Sequence, residues 1–176
     1  MISGFANEGN ATVIFRYFNV AGSYKSDKGE LLIENHQNET HLIPKILKNT
    51  LRNGADSEVE IYGDNFPTKD GTCIRDYLHV QDLAHAHLLA IEKLDTGVSK
   101  VFNLGSGVGY SVLEVLSEIE SVMGVKLNRV ISPARKGDPA VLLAAIGKAK
   151  DELGWKPEAS LNEIISSSWQ GMKQLG

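Results

Sequence analysis

Three features are scarce in this sequence: cysteine, long apolar runs and clustered basic charge. The one cysteine, Cys73, has no partner for an internal disulfide, which favours a reducing cytoplasmic environment. No apolar run approaches the roughly 20 residues that a membrane-spanning helix needs. The segment Met1–Asn10 has neither a basic flank nor an apolar centre, so it does not resemble a signal peptide. We therefore predict a cytoplasmic chain with no membrane partner.

The charge balance argues against a nucleic-acid partner. Lysine and arginine total 18 and aspartate and glutamate total 22, which gives a net charge of -4. No stretch gathers the basic residues into a stripe of the kind that binds a phosphate backbone. At 176 residues and 42% hydrophobic composition, the chain is long and apolar enough for one domain with a core.

Strands and helices are predicted to alternate along the chain, which indicates an α/β fold. Strands are predicted over residues 11–20, 58–62, 72–80, 100–104, 127–132 and 141–146. Helices are predicted over residues 41–53 and 82–94, from a capping box at Ser111 and Glu114 to near Gly124, and as two closing helices, the second capped by Ser160 and Glu163. Residues 21–40 are predicted to form a long polar loop, and residues 63–71 a loop with a turn at Asp70-Gly71.

The first predicted strand, Ala11–Val20, is nearly continuously apolar, as in a parallel strand covered on both faces. Such a strand needs neighbours, and almost no sequence precedes it. We therefore expect the chain to be part of a larger protein. An orphaned strand edge also predicts self-association through the sheet.

Two patterns suggest cofactor chemistry and fail on inspection. Gly105, Gly107 and Gly109 follow a predicted strand, but Tyr110 stands where the dinucleotide fingerprint needs its third glycine. A tight strand-to-helix turn is the better interpretation. Tyr24 and Lys28 have the spacing of a short-chain dehydrogenase pair but lie in the polar loop, so we attribute that spacing to chance.

No metal site is predicted. His79, Asp82, His85 and His87 are close in sequence, but His85 and His87 point to different faces of a helix. A zinc site needs three or four converging ligands. We expect His87 to be a core histidine within an apolar stripe of Leu83, Ala90, Ile91 and Leu94.

Other polar residues are better placed for a ligand. Asn19 ends the first strand, and ligands collect at the carboxyl ends of parallel strands. Arg75 and Tyr77 alternate on an extended segment and so face one side. Arg135 and Asp138 share a basic loop. Two arginines suit a diphosphate and a carboxylate suits ribose hydroxyls, but ordinary surface Arg–Asp pairing explains the same spacing equally well.

These segments together resemble the UDP-glucose (UDP-galactose) 4-epimerases, which are extended short-chain dehydrogenases/reductases. The resembling stretches are residues 16–22, 41–44, 61–68, 70–72, 75–82, 103–105, 135–139 and 152–157, in the order of the family and across essentially the whole chain. The most discriminating of them run from Asp70-Gly-Thr72 to Arg75-Asp-Tyr77.

The resemblance implies an incomplete α/β fold. The whole chain, residues 1–176, would be the C-terminal UDP-sugar-binding part of an epimerase. Residues about 1–20 and 76–105 would belong to the sheet of a Rossmann-type NAD-binding domain whose N-terminal part is missing. NAD would serve a hydride shuttle at C4 of the hexose, and its glycine motif and the catalytic residues would precede this chain. The chain alone is therefore expected to be inactive.

The resemblance also implies individual binding roles. Asn19 and His41 would contact the diphosphate, although many relatives have Asn in place of His41. Arg75 and Arg135 would clamp the diphosphate, and Asp138 would accept ribose hydroxyls. The remaining roles fall to Glu60, Ile61 and Tyr62 around the uracil, Tyr77 and Val112 packing nearby, Leu142 near the sugar, and Tyr17 toward the nicotinamide.

Three alternatives remain open at this point. The chain could be a standalone nucleotide-sugar-binding or interaction module. It could belong to an epimerase of UDP-N-acetylhexosamine or UDP-pentose. It could also be a remnant of a truncated gene or a proteolytic fragment.

Overall fold

Short strands and helices alternate along the chain, as predicted, in the computed structural model. It describes residues 9–54, 57–93, 95 and 97–175. The strands are β1 Thr12–Tyr17, β2 Asn19–Ala21, β3 Tyr24–Lys25, β4 Leu31–Leu32, β5 Glu58–Tyr62, β6 Ile74–His79, β7 Ser99–Leu104, β8 Gly109–Ser111, β9 Asn128–Ser132 and β10 Val141–Leu142. The helices are α1 Leu42–Asn53, α2 Val80–Lys93, α3 Val112–Met123, α4 Gly147–Leu153 and α5 Leu161–Leu175.

The first predicted strand is divided in two at Phe18. β1 pairs in parallel with β7, and β2 pairs in parallel with β6. The prediction that this run is covered on both faces is wrong for β1, where Thr12–Phe15 are half-buried and Arg16 and Tyr17 are exposed. Within the described residues β7 is its one strand neighbour, and among them the other edge of β1 is open. Residues 1–8 of the first predicted sheet segment lie outside the described residues.

β6 organises the centre of the fold. It pairs in parallel with β2 and β10 and antiparallel with β8. β5 and β9 form a separate parallel pair, with Glu60 opposite Val130 and Tyr62 opposite Ser132. The predicted strand over residues 141–146 is confirmed only at Val141–Leu142, because the amide of Ala144 donates to the carboxylate of Asp76 (3.1 Å) instead of to a strand.

The long loop and the helix ends follow local rules. Residues 21–40 are not wholly irregular, since β3 and β4 form a small antiparallel hairpin. α1 is followed by Gly54, whose φ of 60° a glycine adopts without strain. The capping boxes that open α3 and α5 are confirmed: Glu114 N donates to Ser111 Oγ (3.1 Å), and Glu163 N donates to Ser160 Oγ (3.2 Å).

α2 differs from its prediction. It begins at Val80 rather than Asp82, and its buried residues are Asp82, Ala86 and Ala90. Ile91, placed in the predicted stripe, is 79% exposed. Leu94 lies outside the described residues.

His87 is half-buried rather than a core residue. Its Nδ1 lies 2.8 Å from the Leu83 carbonyl oxygen, and its Nε2 lies 3.1 Å from the Tyr17 hydroxyl. These contacts hold it between α2 and β1 at the edge of the sheet.

Two apolar clusters form the core. The larger joins β5 and β6 to α1, α3 and α5, with Ile43, Leu47, Ile61, Leu116, Ile119 and Ile165 at its centre. The smaller lies between β7, α2 and α4 around Phe102 and Trp155. Among the described residues no helix is both long and apolar enough to cross a membrane. A cytoplasmic location stays a prediction.

Candidate functional site

A cavity of about 390 Å³ lies between β5, β6, the start of α1 and the loop after β9. We call it the arginine cavity. Nine of the twelve residues with predicted binding roles line it: Asn19, His41, Glu60, Tyr62, Arg75, Tyr77, Val112, Arg135 and Asp138. The other three are Ile61, Leu142 and Tyr17. Ile61 alternates away from Glu60 and Tyr62 on β5 and is buried in the larger core cluster. The fold thus brings together residues from six separate stretches of sequence.

Arg75 is held firmly in the wall of the arginine cavity. Its Nη1 donates to the carbonyl oxygens of Ile74 and Pro139, each at 2.8 Å. Its Nη2 donates to Asp138 Oδ1 at 2.7 Å, and the Arg75 side chain is only 13% exposed. The Arg–Asp pair that the spacing allowed is therefore present, and both partners also face the cavity.

Arg135 lies on the aromatic ring of Tyr62. Its guanidinium carbon is 4.0 Å from the ring centroid, a cation–π arrangement. The Tyr62 hydroxyl donates to Glu60 Oε2 at 2.6 Å, and Ser132 Oγ donates to Glu60 Oε1 at 3.3 Å. The hydrogen bond from Tyr62 is the largest cause that lowers the pKa of Glu60, which keeps this carboxylate ionised. This corner offers one flat ring, one cation and one carboxylate.

Asn19 and Tyr77 are neighbours across the β2–β6 pair. The Asn19 amide nitrogen donates to the backbone oxygen of Asp76 at 2.7 Å, which fixes the orientation of its side chain. Burial raises the pKa of Tyr77, so its phenol stays protonated over the physiological pH range. In this protonated form, Tyr77 can pack against a ligand or donate a hydrogen bond.

A second, wider cavity of about 1220 Å³ adjoins the arginine cavity, and we call it the open cleft. Asn19 and His41 line both spaces. Of these two spaces, Tyr17, Leu88 and Leu142 line the open cleft and not the arginine cavity, and each is exposed. An extended ligand anchored in the arginine cavity would reach the open cleft past Asn19 and His41.

The turn after β7 does not fit a dinucleotide. The carboxylate of Asp76, which is fully buried, accepts hydrogen bonds from the amides of Ser106 (2.5 Å) and Gly107 (2.9 Å). A diphosphate could bind these amides only by displacing Asp76. The segment is a turn, as predicted, although it leads through β8 before reaching α3.

Tyr24 and Lys28 lie in the β3–β4 hairpin region and not on a helix. They therefore do not lie one helical turn apart, as a functional Tyr-x-x-x-Lys pair does.

The histidines near α2 do not converge. His79 Nε2 lies 3.0 Å from Ser167 Oγ, and its Nδ1 accepts the amide of Gln81. His87 bonds Leu83 and Tyr17 as described above. A different group, Glu34, Glu39 and His41, does come together, and this was not predicted. The available signal was two glutamates and two histidines within residues 34–41.

Comparison with known proteins supports the resemblance. The profile of the NAD dependent epimerase/dehydratase family matches residues 2–105. The UDP-glucose 4-epimerase of Corynebacterium glutamicum is 44% identical over 169 residues, which cover 96% of this chain and 49% of that protein. The UDP-glucose 4-epimerase of Lacticaseibacillus casei is 45% identical over 89% of this chain and 46% of its own length.

The fold comparison agrees. The crystal structure of UDP-glucose 4-epimerase from Bifidobacterium longum in complex with NAD+ and UDP superposes with a TM-score of 0.84 and 38% identity. The match covers 96% of this chain and 49% of that one. The matched part is the C-terminal half of these epimerases, so the chain spans about half the length of the relatives it matches. The chain belongs to the NAD dependent epimerase/dehydratase family.

Proposed function

We propose that this chain forms the UDP-binding side of a UDP-glucose/UDP-galactose 4-epimerase. The observation that carries the proposal is the arginine cavity, where Arg75, Arg135, Tyr62 and Asp138 face one space. Its volume of about 390 Å³ falls within the usual range for small-ligand sites, about 300–1,000 Å³. The domain assignment is part of the same proposal: residues 1–176 act as the C-terminal substrate part, and residues about 1–20 and 76–105 contribute to the sheet of the NAD-binding domain.

The diphosphate is proposed to replace Asp138 as the partner of Arg75. Arg75 stays in place because Nη1 is anchored by two backbone carbonyls, while Nη2 is free to trade the Asp138 carboxylate for a phosphate oxygen. Asp138 is then released to accept ribose hydroxyls. Arg135 approaches the same diphosphate from the Tyr62 side, with Asn19 and His41 beyond it.

The uracil is proposed to lie along β5. Glu60 and Tyr62 contribute side chains to the cavity, whereas Ile61 can contribute only its backbone because its side chain is in the core. Tyr77 and Val112 pack at the floor. The sugar would extend into the open cleft toward Leu142 and Tyr17, the latter on the side proposed for the nicotinamide.

Calorimetric titration of UDP into the 176-residue chain tests this proposal. We expect binding that Arg75→Ala and Arg135→Ala each weaken by roughly 10- to 100-fold, because each removes charged hydrogen bonds worth about 1.5–3 kcal/mol. Arg52→Ala is the matched control, since Arg52 is exposed at the end of α1 and away from the cavity. Absence of UDP binding, or an equal loss in Arg52→Ala, would overturn the proposal.

The chain alone is proposed not to epimerise UDP-galactose, even with added NAD. The amides of the Gly105–Gly109 turn are engaged by Asp76, and Tyr24 and Lys28 do not form a helical pair. Adding a separately made N-terminal part should restore turnover. Turnover by the pure chain would contradict this. UDP binding without restored turnover would favour the standalone binding module instead.

A further inference from the structure

The segment between β4 and α1, residues 34–41, has the sequence ENHQNETH and folds back on itself. One ligand atom each from Glu34, Glu39 and His41 lies within 4.8 Å of the others. In the part of the chain that the structure describes, this is the one group of histidine, cysteine and carboxylate side chains that converges so closely.

Distances within the group are short. His41 Nδ1 is 2.9 Å from Glu39 Oε1 and 3.5 Å from Glu34 Oε1. The imidazole of His36 also lies near the group, with Nε2 3.2 Å from Glu34 Oε1. The Glu39 side chain is 6% exposed and Glu34 is 25% exposed, so both carboxylates are largely withdrawn from water.

The group consists of two carboxylates and one imidazole, and both carboxylates are partly buried. Carboxylate oxygens and an imidazole nitrogen are a donor set that divalent metal ions of the zinc class favour.

We propose that Glu34, Glu39 and His41 bind a divalent transition-metal ion of the zinc class, with His36 next to the site rather than among its ligands. The mixed nitrogen and oxygen donors favour zinc or cobalt over magnesium and calcium, which take oxygen ligands. This inference replaces the sequence-based expectation of no metal, which considered only the histidines near α2. The competing interpretation is a plain ion pair in which protonated His41 bridges the two glutamates.

The position gives the site a consequence. His41 precedes α1 and lines both the arginine cavity and the open cleft, while Glu34 and His36 line the open cleft. A bound ion would pin residues 34–41 at the boundary between the two spaces. It would also stabilise the fold, since any ligand that binds only the native state does so.

Titration of Zn²⁺ by calorimetry, and of Co²⁺ by visible absorption, tests the site in the whole chain. We expect one ion per chain at pH 7.5, bound more weakly as the pH falls because protons compete for the His41 imidazole. Glu39→Gln and Glu34→Gln should each weaken binding by more than about tenfold, since loss of even an outer-shell partner costs that much. Glu92→Gln, a change at an exposed glutamate on α2, and His85→Gln, at an exposed histidine, are the matched controls.

Co²⁺ also gives a readout that needs no substitution. In proton NMR spectra, the imidazole signals of His36 and His41 should shift or broaden before those of His79, His85 and His87. No binding above background, equal weakening in the Glu92→Gln or His85→Gln control, or selective effects on His79 or His85 would each overturn the site in favour of the ion pair. These results are independent of whether UDP binds in the arginine cavity.

Discussion

The arginine cavity and the β1–α2 face, which is the surface that carries Tyr17, Leu88 and Ile91, both rest on parallel strands. They differ in how fully other elements cover those strands. The strands of the arginine cavity are backed by α1, α3 and α5, with Ile61, Leu116 and Ile165 fully buried. On the β1–α2 face, Tyr17, Leu88 and Ile91 are 53%, 59% and 79% exposed.

This difference separates two kinds of surface. A backed wall holds polar groups such as Arg75 in one orientation, so it suits a small ligand. An uncovered apolar face is suited to contact with another protein segment. The relatives are about twice as long as this chain, and the proposal that the N-terminal part covers the β1–α2 face follows from both observations.

Asp76→Ala should produce the largest loss of stability. Asp76 is fully buried and accepts from the amides of Ser106, Gly107 and Ala144, which tie β6 to the turn after β7 and to the segment after β10. Leaving one buried and two part-buried amides without this acceptor, at about 1–3 kcal/mol each, predicts a loss of roughly 3 kcal/mol or more. Urea unfolding measures it, with Asp64→Ala at an exposed loop position as the control. A loss within 0.5 kcal/mol of the control, on the order of surface changes, would show that the turn does not depend on Asp76.

A matched pair of isoleucines tests the comparison directly. Ile61→Ala should lower the free energy of unfolding by about 2–5 kcal/mol, because it opens a cavity in the core. At a concentration low enough to keep the chain monomeric, Ile91→Ala should change it by no more than about 0.5 kcal/mol, because that side chain is exposed in the single chain. Similar losses at both positions would mean that the β1–α2 face is covered in solution.

Such cover could come from a second copy of the chain. We predict that the chain self-associates through the open edge of β1, where Val13, Phe15 and Tyr17 border an exposed hollow beside Ile91. Light scattering at increasing concentration should show a mass above that of one chain, and Ile91→Glu should reduce it. A monomer at all concentrations would contradict this prediction. Val108→Glu, at an exposed position in a loop away from α2, is the control, and an equal reduction in mass there would show that the effect of Ile91→Glu is nonspecific.

The degree to which this molecule could be predicted from its sequence follows the same division. Capping boxes, helix-ending glycines and the period of β5 are local signals, so α1, α3, α5 and β5 match their predictions closely. The proposed binding residues were predicted because family motifs mark them, and all but Ile61, Leu142 and Tyr17 line the arginine cavity.

Predictions that required knowledge of distant partners were less accurate. The stripe on α2 looked continuous through Ile91, but which face is buried depends on where β7 and α4 lie. β10 ends early because the amide of Ala144 donates a hydrogen bond to Asp76, which is distant in sequence. The convergence of Glu34, Glu39 and His41 depends on how an irregular segment folds back, for which no periodicity exists.

The smallest expected effect is a pH dependence from His79, the last residue of β6, whose ring contacts Ser167 of α5 in the well-backed region. Burial is the main cause that lowers the pKa of His79, partly offset by Asp82 and Glu163. The imidazole therefore binds a proton more readily in the unfolded chain than in the folded chain. The contribution of His79 to stability is full above the unfolded pKa of about 6.5 and falls as the pH drops below it. Unfolding measured between pH 7.5 and 5.5 should show this fall, and His79→Asn should lessen it, whereas His85→Asn on the exposed side of α2 should leave it unchanged. If His79→Asn keeps the full pH dependence, another group causes the acid sensitivity. The His79 imidazole, which contacts Ser167, is then not its source.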